Sequence, residues 1–484
     1  MIEQGKAQGW LNLAPEALQP WAALNNVELH HVKVSVDPQH PERGAGVFAD
    51  RDTTSPEDGH TVLMTVPRDL ILSKDLVEQH AKVDKALRAI LDDLGEFGQS
   101  PRLHILTFLL TQTHVLCPSP SPFTHHPLST YLRLLPLEPL PTTYSGPERS
   151  LLKGTTLLPA LTAKLSSLSR EHASFLSKTT VSPAPTLEDW THLDAIYRSR
   201  ALEFPHIGDC MAPCIDMANH ASGSSTRAIY DVDAGGDAVL LLREGQTLPA
   251  GDEVTITYGD AKGACEMVFS YGFLEDGMQG ARELFLDVRT MGDDPLGKAK
   301  RAVAGVAPGV KLFERGDHVR WEGEWLWLVV VNEEDGLEFM LRRTMDGEEE
   351  LVAFWRGEEV CGAVELRERL EREEMWDVWS LRAVSVLQER VEEQLRELYG
   401  SDEEVNGTAY GEGTETRERV RRLAMKLREL ESDLLEKAYA YLEEEKERLM
   451  TSGAVVKYLM AMNTSNDPDP PGPAELKSEE EDFS

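Results

Sequence analysis

The chain has 484 residues, of which 41% are hydrophobic and 27% are charged, and its formal net charge is −35 at pH 7. This length predicts about two or three domains, and the hydrophobic content is ample for packed cores. The strong negative charge argues against nucleic-acid binding, because affinity for phosphates depends on Lys and Arg. An acidic surface instead favours a basic protein partner or serves only solubility.

Cysteine usage and the apolar runs indicate the compartment. The five cysteines are an odd number without a close-paired framework, which indicates a reducing environment. Cys210 and Cys214 are spaced as if one helical turn apart, but no further Cys or His cluster completes a metal site. Residues 1–13 lack a signal-peptide pattern, and no apolar run approaches the roughly 20 residues that cross a bilayer. We expect a soluble protein of the cytoplasm, the nucleus or both, with no membrane partner.

The N-terminal part reads as short strands joined by turns. Residues 27–36 alternate in polarity, residues 44–49 open another strand after a tight glycine turn, and residues 62–66 form a third that Pro67 closes.

Helical periodicity begins near Leu76, and strand character returns after residue 228. The predicted helices include one with the face Leu87, Ile90, Leu91 and Leu94, and residues 103–116, 151–176 and 187–200. The clearest later strands are residues 238–242 and 253–257. Strands at both ends with helices inserted between them indicate an α+β fold.

Composition changes again past Glu283. An aromatic-rich stretch contains Trp321, Trp325 and Trp327, and two long charged helices with apolar stripes follow it. Their stripes predict an antiparallel hairpin with a hinge at residues 401–414. The tail, residues 463–484, is rich in Pro, Asp and Glu and is predicted to be disordered.

Three short segments carry unusual chemistry for their positions. Gly44-Ala45-Gly46 precedes a strand, where glycines let backbone groups approach a ligand closely. Asp216-x-x-Asn219-His220 offers carboxylate, amide and imidazole groups before a Gly/Ser loop. Two Tyr-Gly steps, at Tyr258 and Tyr271, flank an apolar segment, and Phe273 follows the second. Each segment alone is more often structural than catalytic.

In combination and order, these segments resemble the SET-domain methyltransferases. The resemblance is closest to the class with a long helical insertion, represented by the Rubisco large-subunit lysine methyltransferase. The pairs Leu135-Pro136 after Tyr131, Lys153-Gly154, and Ser199-Arg200 with Phe204 are similar to segments of that class. The resemblance implies a SET domain over about residues 20–280 with the insertion at about 76–200. A mostly α-helical, substrate-binding-like domain over 283–460 would follow.

The resemblance also implies a cofactor and roles for the residues. S-adenosylmethionine would lie near Gly44–Gly46, with Asn219 and His220 beside it, Arg200 paired to its carboxylate and Asp216 orienting the segment. Tyr258 would be the catalytic residue at the methyl-transfer point and would also contact the cofactor, as would Tyr271. The substrate channel would be walled by Phe204, Tyr271 and Phe273.

The sequence departs from the pattern of the resembling family at one point and leaves several alternatives open. Relatives carry a Ser-Asn pair after the catalytic Tyr-Gly, where this chain has Gly263-Ala264. The Cys-rich zinc segment of many histone-directed relatives is also missing, which favours a non-histone substrate such as a basic ribosomal or translation protein. Lysine and histidine are both possible target residues, and a non-catalytic scaffold with a degenerate SET fold is the rival from another class. The sequence leaves the target, the degree of methylation and the oligomeric state undetermined.

Overall fold

The computed structural model describes residues 1–465 except 39, 41–42, 119, 291, 293, 317, 344–347 and 408–414. The predicted disordered tail therefore lies outside the described residues from 466 onwards. Contacts divide the chain into two compact units, one made of residues 1–282 and 401–430 and the other of 283–400 and 431–484.

Residues 1–282 of the first unit begin with two short helices and five strands, continue through a run of helices, and end with five further strands and one helix. Its elements within residues 1–282 are α1 (Ile2–Ala7), α2 (Leu18–Leu24), β1 (Glu28–Leu29), β2 (Val32–Val36), β3 (Ala45–Ala49), β4 (Thr53–Thr54), β5 (Thr61–Val66), α3 (Lys74–His80), α4 (Lys85–Leu94), α5 (Pro101–Leu116), α6 (Pro127–Leu132), α7 (Gly146–Ser150), α8 (Leu157–Lys178), α9 (Leu187–Arg200), β6 (Leu202–Phe204), β7 (Gly208–Cys210), β8 (Ala228–Val232), β9 (Ala238–Leu242), β10 (Thr247–Leu248) and α10 (Ala264–Tyr271).

The strands of the first unit form one four-stranded sheet and several two-stranded ribbons, all antiparallel. The sheet order is β1-β5-β9-β8, and the ribbons are β2-β3, β4-β10 and β6-β7. The strand predicted at residues 27–36 is two strands in different sheets, because His31 has a φ of 64° and turns the chain between β1 and β2. Small sheets of this kind place many loop segments side by side, and the candidate site is built from such segments.

Residues 253–257 do not form the predicted strand. Their alternating burial is as expected, with Val254 and Ile256 fully buried, but their hydrogen bonds go to two different segments. The backbone N–H of Val254 donates to Val47, and that of Ile256 donates to Asn219. Because no single partner runs alongside, only isolated bridges form.

Helices α3 to α9 lie between β5 and β6 and cover the region predicted as an insertion. Local signals fix their ends: Ser100 caps α5 with Pro101 in its first turn, and Thr186 forms a capping box with Asp189 at the start of α9. The helix predicted from residue 151 begins only at Leu157, because Gly154 has a φ of 76° and interrupts the helical backbone. The predicted helical spacing of Cys210 and Cys214 is also wrong, since Cys210 ends β7 and Cys214 has a φ of 70°.

The second unit contains more β-structure than the sequence indicated. The elements from residue 283 onwards are β11 (Glu283–Asp287), α11 (Gly297–Val303), β12 (Gly309–Arg315), β13 (His318–Glu322), α12 (Trp325–Val330), β14 (Leu337–Arg343), β15 (Glu349–Trp355), β16 (Glu358–Val360), α13 (Gly362–Leu370), α14 (Trp376–Gly400), α15 (Asp402–Gly407), α16 (Glu415–Met450) and α17 (Gly453–Ser465), of which α15 and the start of α16 belong to the first unit. The strands make two three-stranded antiparallel sheets, β11-β12-β13 and β14-β15-β16.

The long helices α14 and α16 run antiparallel, as predicted. Gln388 donates a hydrogen bond to Glu443, and Tyr399, further along α14, donates to Glu436, earlier on α16. The predicted hinge begins instead with the short helix α15. Among the described helices, none combines the length and apolar character needed to span a bilayer.

Candidate active site

A cavity of about 210 Å³ opens in the first unit beside the end of α9 and the β6-β7 ribbon. Four of the residues singled out from the sequence line it together, although they are up to 71 positions apart: Arg200, Asp216, Tyr258 and Tyr271. The other lining residues include Glu203 and Asp209, which the sequence analysis did not single out.

Tyr258 lies at the cavity with its hydroxyl directed inward. The hydroxyl donates to the carbonyl oxygen of Ala218 at 2.9 Å. The phenol ring lies 4.6 Å from the ring of Tyr271 and 5.1 Å from the imidazole of His220, measured between centroids. Burial raises the pKa of the Tyr258 hydroxyl well above its ordinary value, so the group stays protonated and able to donate.

His220 holds the backbone of Tyr258. Its Nδ1 accepts the N–H of Tyr258 at 3.0 Å, and its Nε2 lies 3.0 Å from Oε1 of Glu275. Because Nδ1 is an acceptor here, the proton belongs on Nε2, which donates to Glu275. The side chain of His220 therefore serves Tyr258 and does not line the cavity.

Glu275 is fixed in turn by residues that the sequence analysis missed. Arg282 donates to both of its carboxylate oxygens, at 2.6 and 2.7 Å, and Ser222 donates to Oε2 at 2.8 Å. The Arg282 hydrogen bonds, the largest cause, lower the pKa of Glu275 to about 2. A single glutamate four residues after Tyr271 gives no pattern in the sequence, so only the fold reveals this support.

The two glycines of the predicted turn are needed for different reasons. Gly44 has a φ of 76° with open space around it, whereas a Cβ on Gly46 would lie 2.7 Å from Oε1 of Glu253 and 3.0 Å from Nδ2 of Asn219. The Asn219 amide donates to that same Glu253 oxygen at 2.6 Å. Gly46 thus permits close packing of a partly buried polar pair. Ala45, between the glycines, begins β3, and none of these residues lines the cavity.

Arg200 is already paired inside the protein through its two terminal nitrogens. One terminal nitrogen donates to Glu138 at 2.5 Å and the other to the carbonyl oxygen of Asp216 at 3.1 Å. Glu138 lies in the insertion and was not singled out from the sequence. Within the described part of the chain, the buried Nε of Arg200 has no hydrogen-bond partner.

Asp216 is 6% exposed and lies at the inner part of the cavity. Its Oδ1 accepts from the hydroxyl of Tyr131, which also accepts the backbone N–H of Cys214. Burial, the largest cause, raises the pKa of Asp216 to about 6. Its Oδ2 is buried with no partner among the described residues. The carboxylate is therefore anchored at one oxygen and open at the other.

The predicted aromatic walls separate into two groups. Tyr271 lines the cavity, while Phe273 lies behind Tyr258, with ring centroids 6.4 Å apart. Phe204 is 1% exposed and packs on Tyr230 at 4.9 Å. It belongs to the hydrophobic core and does not line the cavity.

No family model matches the chain, but two known proteins resemble it in sequence. SET domain-containing protein 8 of Schizosaccharomyces pombe is 28% identical over 428 residues, covering 86% of this chain and 92% of that protein. The chloroplastic ribulose-1,5 bisphosphate carboxylase/oxygenase large subunit N-methyltransferase of Pisum sativum is 25% identical over 278 residues, 54% of this chain and 52% of that protein.

A solved structure decides the fold. The SET domain of LSMT bound to methyl-lysine and AdoHcy superposes with a TM-score of 0.63 at 21% identity, covering 90% of this chain and 94% of that one. The chain has a SET-domain fold. The resemblance inferred from the sequence is confirmed, together with the α+β class and the helical C-terminal region.

This SET domain departs from the usual sequence at Gly263-Ala264 without local distortion. Gly263 is the N-cap of α10, and Ala264 is fully buried with its N–H donated to Ala281. A small residue fits this position because the side chain points into packed protein. The departure therefore leaves the helix that carries Tyr271 regular.

Proposed function

We propose that the chain is an S-adenosylmethionine-dependent protein-lysine N-methyltransferase. The observation that carries the proposal is the protonated Tyr258 hydroxyl, fixed by Ala218 and His220 at the inner end of a cavity walled by Tyr271. Two comparisons support it: the Pisum sativum relative is an N-methyltransferase by name, and the LSMT structure contains methyl-lysine and AdoHcy.

The residues present fit this cofactor. S-adenosylmethionine carries a carboxylate and cationic groups, and the cavity offers a buried N–H on Arg200 and a buried carboxylate oxygen on Asp216, both without partners among the described residues. Buried polar groups are normally paired, so such atoms are typical of a site that a ligand completes. When bound, S-adenosylmethionine supplies an electrophilic methyl group on a sulfonium.

The chain's own contribution is alignment and exclusion of water. Tyr258 offers a fixed hydroxyl oxygen to an incoming amine, and the hydrogen bond to Ala218 prevents the phenol from rotating. Tyr271 and Tyr258 cover this end of the cavity with aromatic surface. A lysine ammonium that enters loses hydration, which lowers its pKa and favours the neutral nucleophile without a dedicated strong base.

A non-histone protein with a basic surface is the proposed substrate class. The support is the net charge of −35 and the absence of the Cys-rich zinc segment in the sequence. Incubating the enzyme with tritiated cofactor and either a cell lysate or purified histones tests this point. Label confined to histones would contradict it.

The experiment that tests the activity itself is calorimetric titration of the cofactor and of S-adenosylhomocysteine into the full chain. We expect one-to-one binding of both, followed by methyl transfer to lysate proteins with the methylated residue identified by mass spectrometry. No binding of either ligand would remove the enzyme proposal in favour of a non-catalytic scaffold. Methylated histidine without methylated lysine would overturn the choice of target residue.

A further inference from the structure

The β6-β7 ribbon carries two carboxylates that face each other at the cavity. Glu203 and Asp209 are directly opposite in the antiparallel register. Side chains of directly opposite residues lie on one face with Cβ atoms about 5 Å apart. Both residues line the cavity and both are exposed, so they stand at its open side. We refer to this pair as the acidic rim.

No cation balances the acidic rim within the described residues. The hydroxyl of Tyr197 lies 3.5 Å from Asp209, and no Lys, Arg or His forms an ion pair with either carboxylate. Like charges directly opposite on a sheet are destabilising. The pair therefore carries an electrostatic cost that a bound cation would relieve.

Asp216 extends the negative lining inward. Its carboxylate is more than nine-tenths buried, lines the same cavity, and has one oxygen without a partner in the described part of the chain. Arg200, the cation in the lining, is paired with Glu138, so the cavity presents negative groups at both its open and its buried ends. A single cation bound beside Tyr258 and Asp216 would leave the negative charges of Glu203 and Asp209 uncompensated.

We propose that the acidic rim binds a second cationic side chain, next in the substrate to the lysine that enters the cavity. This inference rests on the proposed function and narrows its substrate class to lysines flanked by Arg or Lys. The target ammonium belongs at the buried end near Tyr258, whereas Glu203 and Asp209 are exposed, so the rim requires a different charge. Ion pairs at such exposed sites contribute modestly, and we expect a selectivity of about fivefold from two of them.

The test compares the wild-type chain, the double variant E203Q/D209N and the charge-matched control E16Q/E188Q. Glu16 and Glu188 are exposed and lie outside the cavity lining. One peptide pool has a central lysine with Arg placed at each neighbouring position in turn, and a second pool has Gln in those places. Two readouts are used: transfer of tritiated methyl groups, and peptide affinity by fluorescence anisotropy with S-adenosylhomocysteine present.

We expect the wild type and the control to prefer the Arg pool about fivefold in both readouts, and this preference to weaken as salt is added. In E203Q/D209N the preference should disappear. A variant that keeps the preference overturns the proposal, as does a wild type without one. If neither pool accepts methyl groups, the proposed lysine methyltransferase function fails for these peptides. If the wild type binds the two pools with equal affinity, the proposed role of the acidic rim is overturned, whatever the result for methyl transfer.

Discussion

The imidazole Nδ1 of His220 accepts the backbone N–H of Tyr258 at 3.0 Å. This contact is one of those that link the Asn-His segment to the Tyr-Gly segment, 38 positions later in the chain. Because Nε2 of His220 is held by Glu275, the ring orientation is fixed from both sides. The position of the Tyr258 backbone therefore depends on residues that do not line the cavity.

Glu275→Gln should impair turnover through this linkage. The carboxylate accepts hydrogen bonds from His220, Ser222 and Arg282, and an amide group would place a donor against donors. We expect kcat to fall about tenfold with little change in KM for the cofactor, and stability to fall by about 2 kcal/mol. Steady-state kinetics and urea denaturation measure both effects. The control Glu188→Gln, exposed near the start of α9, should match the wild type, and an unchanged kcat in E275Q would contradict the linkage.

Tyr258→Phe should abolish methyl transfer while the fold persists. Removing one buried hydroxyl donor costs about 1 kcal/mol of stability, whereas loss of a preorganised group at a reacting centre costs about 10²-fold or more in rate. Single-turnover kinetics, thermal denaturation and cofactor titration measure these effects. Tyr144→Phe, which removes a buried hydroxyl outside the cavity lining, should retain activity. Wild-type rates in Y258F would remove Tyr258 from the catalytic role.

Gly46→Ala and Gly44→Ala should destabilise the protein for different physical reasons. A Cβ on residue 46 meets Glu253 and Asn219 at 2.7 and 3.0 Å, so we expect a loss of about 1–3 kcal/mol in the free energy of unfolding. At residue 44 the space is open and only the backbone conformation is strained, at about 1 kcal/mol. Urea denaturation of both variants provides the comparison. Equal effects at the two positions would show that close packing at Gly46 is unimportant.

Asp216→Asn should stabilise the protein at neutral pH. The folded-state pKa of Asp216 is about 6, above its ordinary value of 3.8, so between these values the folded protein holds a proton that the unfolded chain has released. Asp216's contribution to the free energy of unfolding therefore decreases as pH rises from about 4 to 6 and stays low above that. We expect the variant to be roughly 1–3 kcal/mol more stable at pH 7, with a smaller difference near pH 4.

Urea denaturation at several pH values checks the Asp216 prediction. Asp231→Asn, which removes an exposed carboxylate on β8, serves as the control and should follow the wild type at each pH. A D216N variant less stable than the wild type at pH 7 would contradict the prediction. Methyl transfer by D216N is expected to be weaker despite the added stability, because a negative group at a cationic site is lost.

Periodicity and turn chemistry predicted much of the first unit. Helices α5 and α9 and strands β5 and β9 were predicted from apolar spacing and, for β5, from Pro67. The errors occur where tertiary contacts override a local pattern. Residues 253–257 alternate like a strand, yet their backbone bonds to two separate segments. The strands of the second unit were missed because their alternating residues are heavily charged.

Only the site residues that belong to recognisable sequence motifs were predicted. Tyr258, Asp216 and Tyr271 were identified through family resemblance, and the cavity brings them together. Glu275 and Glu253 carry no local signal, because their importance arises from partners that are distant in sequence. Such pairings are a property of the fold and cannot be read from one sequence.

The return of residues 401–430 to the first unit has a practical consequence for dissecting the protein. Arg428 donates to the carbonyl oxygen of Lys153 and to Asp402, and the Ser401 hydroxyl also donates to Lys153. A protein truncated after Arg282 would lack Ser401 and Arg428. The carbonyl oxygen of Lys153, beside the turn at Gly154, would then lose the hydrogen bonds that these two residues donate. The first unit is therefore discontinuous in sequence, and no single truncation point yields it whole.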